Sequence, residues 1–163
     1  MHALVQFITE HVDPVIAVLI TSALPLIELR GAIPVGMSLG MSAVDATILS
    51  YLGSIVPVPF ILLLIKHIFK YLETTKVFGP IVSRLTHKTM NTNADKIEKY
   101  GAWGLLIFVA IPLPGTGVWS GSLAASLMNM RFKWAFPSIL IGNAIAGLII
   151  MALSSGVFSV IGN

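Results

Sequence analysis

The chain is built from long apolar blocks joined by polar connections. Four blocks of mainly hydrophobic residues run over roughly 14–42, 44–65, 101–130 and 134–160. The second and fourth blocks have about the 20 residues that an α-helix needs to cross roughly 30 Å of hydrocarbon. We therefore predict a transmembrane helix in each of these two blocks.

Proline and glycine, which break helices, interrupt the first and third blocks near their middles. The interruptions are Pro25, Gly31, Pro34, Gly36 and Gly40 in the first block, and Pro112, Pro114, Gly115, Gly117 and Gly121 in the third. Each half then has about 12–14 residues, or roughly 18–21 Å of helix, which is too short to cross. Each block is therefore either one kinked long helix or a re-entrant hairpin, whose irregular backbone must be covered by protein or water.

The basic residues decide between these alternatives for the third block. Apart from Arg30, every lysine and arginine lies either in the stretch 66–99 or at Arg131 and Lys133. Basic connections face the cytoplasm. Both ends of the third block therefore lie on the cytoplasmic side, and we predict a re-entrant hairpin. The charges leave the first block open, because a hairpin puts the N-terminus outside and a kinked span puts it inside.

A weak internal repeat favours a hairpin for the first block as well. The stretch LPLIELRGAIPVGMSLGMS resembles IPLPGTGVWSGSLAASLMN, with Pro25 matching Pro112 at an offset of 87 (112 − 25). Further along, Gly53-Ser54 matches Gly142-Asn143 at an offset of 89 (142 − 53). Two like units that enter from opposite faces form an inverted-topology repeat. The predicted fold is an all-α integral membrane protein with an inverted repeat of two re-entrant helical hairpins, each followed by a transmembrane helix.

These predictions divide a single membrane domain into five segments. The segments are 1–43 (N-terminal segment and first hairpin), 44–66 (transmembrane helix), 67–100 (cytoplasmic amphipathic segment), 101–130 (second hairpin) and 131–163 (transmembrane helix). The central segment carries scattered apolar residues among its lysines. It forms either an amphipathic helix on the inner membrane surface or a solvated loop and helix.

Composition agrees with a membrane protein. The chain is 56% hydrophobic and 10% charged, with a mean hydropathy of +0.91, whereas soluble domains carry about 25% charged residues. The net charge of +3 is then a loop asymmetry, so we expect membrane lipids and no nucleic acid as partners. Two full spans enclose little space. We therefore expect a homodimer, multi-pass in the cell membrane, with its central loop in the cytoplasm.

Glu28 and Arg30 are charges inside the otherwise apolar first block. A charge at the bilayer centre costs at least about 2.5–3.5 kcal/mol on insertion scales, so a functional role is the default hypothesis. Half-helices starting near Gly31 and Gly115 would offer unpaired N–H groups and a dipole suited to an anion. Arg30 would add a guanidinium for phosphate or carboxylate, and Glu28 would carry a proton. The alternative is that the two charges only pair and fix the loop.

Further candidates surround these two charges. The complete predicted substrate- or ion-binding set is Glu28, Arg30, Gly31, Pro34, Pro112, Pro114, Gly115, Thr116, Gly117, Ser120 and Asn143. Thr116 and Ser120 add hydroxyl donors, and Asn143 either faces the same cavity or makes an interhelical hydrogen bond. No metal-ligand spacing, catalytic triad or phosphate-binding loop motif is present in the sequence. We therefore predict no cofactor and no enzymatic activity.

Two stretches carry a resemblance to known families. IPLPGTGVWSGSLAASLMNMRFKWAFPSILIGNAIAG resembles the second hairpin and following helix of the DedA family, through its proline-containing tip, its small-residue helix and its Gly-Asn pair. The whole chain, with ELRGAIPVGMSLG near its start, resembles the small multidrug export protein family more closely. That family is similar to DedA/VTT-related proteins in having two inverted hairpin-plus-helix units.

The resemblance implies a membrane transporter. DedA relatives are associated with proton-coupled movement of lipid carriers or phospholipids and with drug resistance, and their acidic and arginine hairpin residues correspond to Glu28 and Arg30. DedA proteins also carry an arginine just after the proline of the second hairpin, where this chain has Gly115-Thr116-Gly117. We predict a proton- or ion-coupled secondary transporter of a small-molecule or lipid-phosphate substrate. The alternative is a non-transporting scaffold or biogenesis factor that remodels the bilayer.

Overall fold

The structure, a computed structural model, describes residues 13–73, 94–113 and 115–161. The helices are α1 Pro14–Ala23, α2 Glu28–Ser38, α3 Ala43–Ile55, α4 Pro57–Glu73, α5 Ala94–Ala110, α6 Val118–Leu127 and α7 Phe132–Ile161. No strand occurs in the described ranges, which confirms the all-helical class. Most of the predicted cytoplasmic segment lies outside the described residues, as do Pro114 and residues 1–12.

Within the residues that the structure describes, two helical stretches are long and apolar enough to cross a membrane. They are Ala43–Ile65, with 23 residues, and Phe132–Val157, with 26 residues. At 1.5 Å per residue they extend about 35 and about 39 Å, which exceeds a hydrocarbon core of about 30 Å. Large apolar side chains such as Phe60 and Leu153 are more than half exposed along them. Such surfaces suit hydrocarbon better than water.

The first apolar block is two short helices that pack against each other. The α1 helix has 10 residues and α2 has 11, so each is only about 15–17 Å long. The Asp13 carboxylate caps α1 by accepting the Val15 N–H at 2.9 Å, and Pro14 occupies the first helical turn, where proline is favoured. Both helices also pack against α3. The third block is similarly divided into α5 and α6, which contact each other.

The described residues form two compact units, each with its own buried interior. The first unit contains α1, α2, α3 and the part of α7 from Asn143 onward. The second contains α4, α5, α6 and the part of α7 up to Gly142. The second unit has a core of Val58, Leu62, Ala102, Leu105, Val109, Val118, Ala125, Met130, Ala135 and Ile139. These side chains account for the packing of α6 against α4 and α5.

Gly53 allows the backbone of α1 to lie directly on α3 in the first unit. A Cβ at this position would lie 2.6 Å from the Leu19 carbonyl oxygen and 3.1 Å from the Leu19 Cα, and it would overlap the Ser22 hydroxyl. Two of these three atoms belong to the main chain, so they cannot move aside without shifting the helix. The close approach therefore requires glycine.

Gly142 has the same function in the second unit. A Cβ there would lie 2.6 Å from the Leu106 carbonyl oxygen and 2.9 Å from the Val109 Cβ. Leu106 and Leu19 are 87 residues apart (106 − 19), which is the offset between Pro112 and Pro25. Each unit thus places the carbonyl of a corresponding leucine, on α1 or α5, against the glycine of a spanning helix.

We expect Gly53→Ala and Gly142→Ala each to lower the free energy of unfolding by about 1–3 kcal/mol, because the added methyl group meets main-chain atoms. Gly104→Ala is the matched control, since Gly104 is also helical and a Cβ there meets nothing within 4 Å. That control should be neutral or more stable by up to about 1 kcal/mol. Thermal unfolding in detergent measures all three. An equal loss of unfolding free energy in all three variants would contradict the proposed main-chain contacts at Gly53 and Gly142.

Candidate functional site

The first tip is the turn Leu24–Ile27, where the chain passes from α1 into α2. The Leu24 carbonyl accepts the N–H groups of Ile27 at 3.3 Å and Glu28 at 3.0 Å. The Gly31 N–H donates to the Ile27 carbonyl at 3.1 Å. These bonds start α2 at Glu28 rather than near Gly31, where the sequence predicted it. Both predicted charges therefore lie in the first helical turn.

Glu28 is buried and has an unusual backbone conformation. Only 8% of the residue is exposed, and its φ is +51°, in the left-handed region. Such a conformation costs a non-glycine residue of order 1–3 kcal/mol and tends to occur at functional sites. Sequence reasoning missed this strain, because glutamate is not a residue type that favours a positive φ.

Arg30 is half-buried two residues further along α2, and the Glu28 carboxylate acts on its guanidinium electrostatically. Pro34 lies inside the same helix and has no N–H to donate to the Arg30 carbonyl. The two charges thus form a coupled pair at the start of a helix that a proline interrupts one turn later.

The second tip, residues 111–117, is held together by the Thr116 hydroxyl. Thr116 Oγ1 lies 2.7 Å from the Ile111 carbonyl oxygen and 2.8 Å from that of Leu113, so its proton is available to either. It also accepts the Leu113 N–H at 3.3 Å. The hydroxyl therefore closes the turn that follows Pro112.

Glycine is required at two positions of this tip. Gly115 has a φ of +83° and Gly117 a φ of +138°, both in regions that L side chains rarely adopt. Because Gly117 cannot be helical with this φ, α6 begins at Val118 rather than near Gly115, where the sequence predicted it. Ser120 lies in the first turn of α6, and its hydroxyl donates to the Gly117 carbonyl at 3.4 Å.

The helices that follow the two tips share an electrostatic feature. Neither α2 nor α6 has a side-chain cap on its first N–H groups. In contrast, Asp13 caps α1 and Ser42 caps α3. A helix N-terminus without a side-chain cap presents the positive end of the helix dipole, an arrangement that favours anions.

Asn143 makes a buried hydrogen bond between two helices of the first unit. Its Nδ2 donates to Ser54 Oγ at 2.8 Å, and Ser54 Oγ donates to the Tyr51 carbonyl at 2.9 Å. Ser54 is fully buried, and Asn143 is 4% exposed. The structure thus realises the interhelical hydrogen bond that the sequence allowed as one of two roles for Asn143. Ser54 and Asn143 are also the two residues that the internal repeat places in corresponding positions.

Two further buried hydroxyls of the first unit, Thr21 Oγ1 and Ser50 Oγ, have no hydrogen-bond partner among the described residues. Both residues are fully buried on packed helices, α1 and α3. A buried polar group without a partner lowers stability. Among the described residues, the interior of the first unit therefore contains both hydrogen-bonded polar groups, such as the Ser54–Asn143 pair, and unsatisfied hydroxyls.

The structure groups the predicted site residues by unit. The α2 helix of the first unit carries Glu28, Arg30, Gly31 and Pro34. Asn143 belongs to the same unit but lies on α7. The second tip of the second unit carries Pro112, Gly115, Thr116 and Gly117, and Ser120 follows in α6. Within the described ranges no group of three or more histidine, aspartate or glutamate side chains could hold a metal ion.

Comparison with known proteins gives one finding. The model of a family described as "Putative small multi-drug export protein" matches residues 28–149, which contain α2 from its first residue, the second tip and most of both spanning helices. No protein of curated function and no solved structure matches the chain.

We expect Ser54→Ala to lower the free energy of unfolding by about 1–3 kcal/mol, because it leaves the buried Asn143 amide unsatisfied. Ser50→Ala is the matched control, one turn earlier on the same helix and equally buried. It removes a hydroxyl that has no partner, so it should be neutral or stabilising. Chemical unfolding of both variants in detergent gives the comparison. A larger loss for Ser50→Ala would contradict the hydrogen-bond assignment.

Proposed function

The chain belongs to the family of small multi-drug export proteins, and we propose that it is a secondary transporter whose substrate-binding groups lie at the two tips. Membership in an export family indicates a membrane transporter rather than an enzyme, and the two apolar spanning helices agree with a membrane location. The observation that carries the proposal is the buried Glu28, coupled to Arg30 at the strained start of α2.

We propose that Arg30 alternates between two anionic partners. Without substrate, the guanidinium interacts with the Glu28 carboxylate. An anionic substrate group, held by Arg30 at the positive end of the α2 dipole, competes for the same charge. Glu28 then loses its counter-charge in a buried position and takes up a proton. Substrate release restores the pair and frees the proton, which couples the two fluxes.

We further propose that both tips are re-entrant and that the two hairpin-plus-helix repeats have inverted topology. The matched contacts at Gly53 and Gly142 support this proposal. So does the bond between Ser54 and Asn143, because repeats related by a twofold axis bring a residue against its own counterpart only near that axis. The two spans found among the described residues enclose little space for such a pathway. We therefore propose a homodimer in the cell membrane, with the central loop in the cytoplasm.

Substitutions of the charged pair separate transport from a structural role. We expect Glu28→Gln to keep substrate binding but to abolish the pH dependence of transport, because an amide cannot titrate. Arg30→Gln should weaken binding. Proteoliposomes with an imposed proton gradient provide the assay, with a fluorescent anionic lipid analogue and ethidium as probes and pyranine to report proton movement.

The double variant Glu28→Gln, Arg30→Gln is the control for a structural ion pair. If the charges only fix the turn, each single change destabilises the protein, and the double change recovers much of that loss. Transport with unchanged pH dependence in a stable double variant would refute the functional proposal. A stable wild-type protein that moves neither probe nor protons would favour the alternative function, a non-transporting scaffold that remodels the bilayer.

Topology gives a separate test of the second hairpin. The chain has no cysteine, so Lys99→Cys and Lys133→Cys each introduce a unique label. We expect a membrane-impermeant maleimide to label both from the cytoplasmic side only, because a hairpin returns to the side from which it entered. Labelling from opposite sides would make the third block a kinked span and would reject the inverted repeat.

A further inference from the structure

The second unit contains an apolar groove between α5 and α7, away from the tip. A cavity of about 240 Å³ opens between Ala102, Trp103 and Leu106 of α5 and Trp134, Pro137 and Ile141 of α7. We call it the Trp groove. Trp103 is 59% exposed and Trp134 is 38% exposed, so both indole rings are accessible to a ligand.

Apart from the indole N–H groups of its two tryptophans, the groove offers a ligand few hydrogen bonds. Ser138 also lines it, but the Ser138 hydroxyl already donates to the Trp134 carbonyl at 2.8 Å. The remaining lining consists of aliphatic and aromatic side chains. Its contents are therefore selected by apolar contact, which suits a hydrocarbon chain.

Positive charge lies next to the groove. Lys133 Nζ is 5.9 Å from the centroid of the Trp134 ring. Lys133 lies in the first turn of α7 and Arg131 just before it, and both residues are exposed. The acidic residues of α5, Asp95 and Glu98, are matched by Lys96 and Lys99, and from Gly101 onward the sequence contains no aspartate or glutamate, so Arg131 and Lys133 leave a net positive charge on the two helices. A lipophilic cation would meet like charges there, whereas an amphiphile with an anionic head would find a complementary surface.

We propose that the Trp groove binds an acyl chain of an anionic phospholipid from the bilayer, while Lys133 and Arg131 bind its phosphate. Basic residues at a membrane surface attract anionic headgroups, and guanidinium and ammonium groups form charge-assisted hydrogen bonds with phosphate. The site is independent of the transport proposal, because it involves neither tip.

Quenching of tryptophan fluorescence tests the site directly. Trp119→Phe leaves Trp103 and Trp134, both in the groove, as the only tryptophans. The protein is reconstituted in phosphatidylcholine bilayers that contain either brominated phosphatidylglycerol or brominated phosphatidylcholine. We expect the anionic lipid to quench at a roughly tenfold lower mole fraction, from the attraction of two basic residues.

The double variant Arg131→Gln, Lys133→Gln should remove this preference while both lipids still quench, because the groove itself is unchanged. Equal quenching by the two lipids before that substitution would reduce the groove to ordinary lipid contact and overturn the proposal. So would a preference that survives the double substitution. Native mass spectrometry of the unaltered chain gives the same comparison without Trp119→Phe. It should retain phosphatidylglycerol adducts in excess over phosphatidylcholine, and equal retention would also overturn the proposal.

Discussion

The absence of a side chain at Gly53 and Gly142 is the constraint on which the packing of both units depends. At each position the carbonyl oxygen of a neighbouring helix, α1 or α5, lies 2.6 Å from where a Cβ would be. The α1 helix has only 10 residues and buries little surface, so main-chain contact with a spanning helix supplies what its length cannot. Small residues at a helix interface are the usual means of close packing in membranes, where the hydrophobic effect does not drive helices together.

The packing of α2 against α1 and α3 holds a strained and buried carboxylate at the first tip. A positive φ at Glu28 and the burial of its side chain are both unfavourable, and they persist because two neighbouring helices hold α2 in place. Arg30, two residues further along the same helical turn, interacts electrostatically with this carboxylate. The electrostatics of the tip therefore depend on the packing of the three helices around it.

Much of the fold was predictable from the sequence, because length and hydropathy determine where a spanning helix can form. Ala43–Ile65 and Phe132–Val157 agree with the predicted second and fourth blocks. The division of the first and third blocks followed from their prolines and glycines. The first residues of α2 and α6 were predicted less accurately, because they depend on turn hydrogen bonds and on the φ of Gly117.

Features that arise from three-dimensional contact were not predictable. The offset of 89 matched Ser54 with Asn143, but only the fold shows that these side chains bond to each other. The sequence offered the Thr116 hydroxyl as a ligand donor, whereas the structure shows that it closes its own turn.

The central claim is that the tips lie inside the membrane. Nitroxide labels at Leu26→Cys and Leu113→Cys, on exposed tip residues, measure their depth by power-saturation EPR, with Val44→Cys as a reference at the start of α3. The account predicts that both tip labels are rich in oxygen contact and poor in contact with water-soluble nickel, and that Val44→Cys is shallow. Tip labels as accessible to nickel as the reference would contradict it.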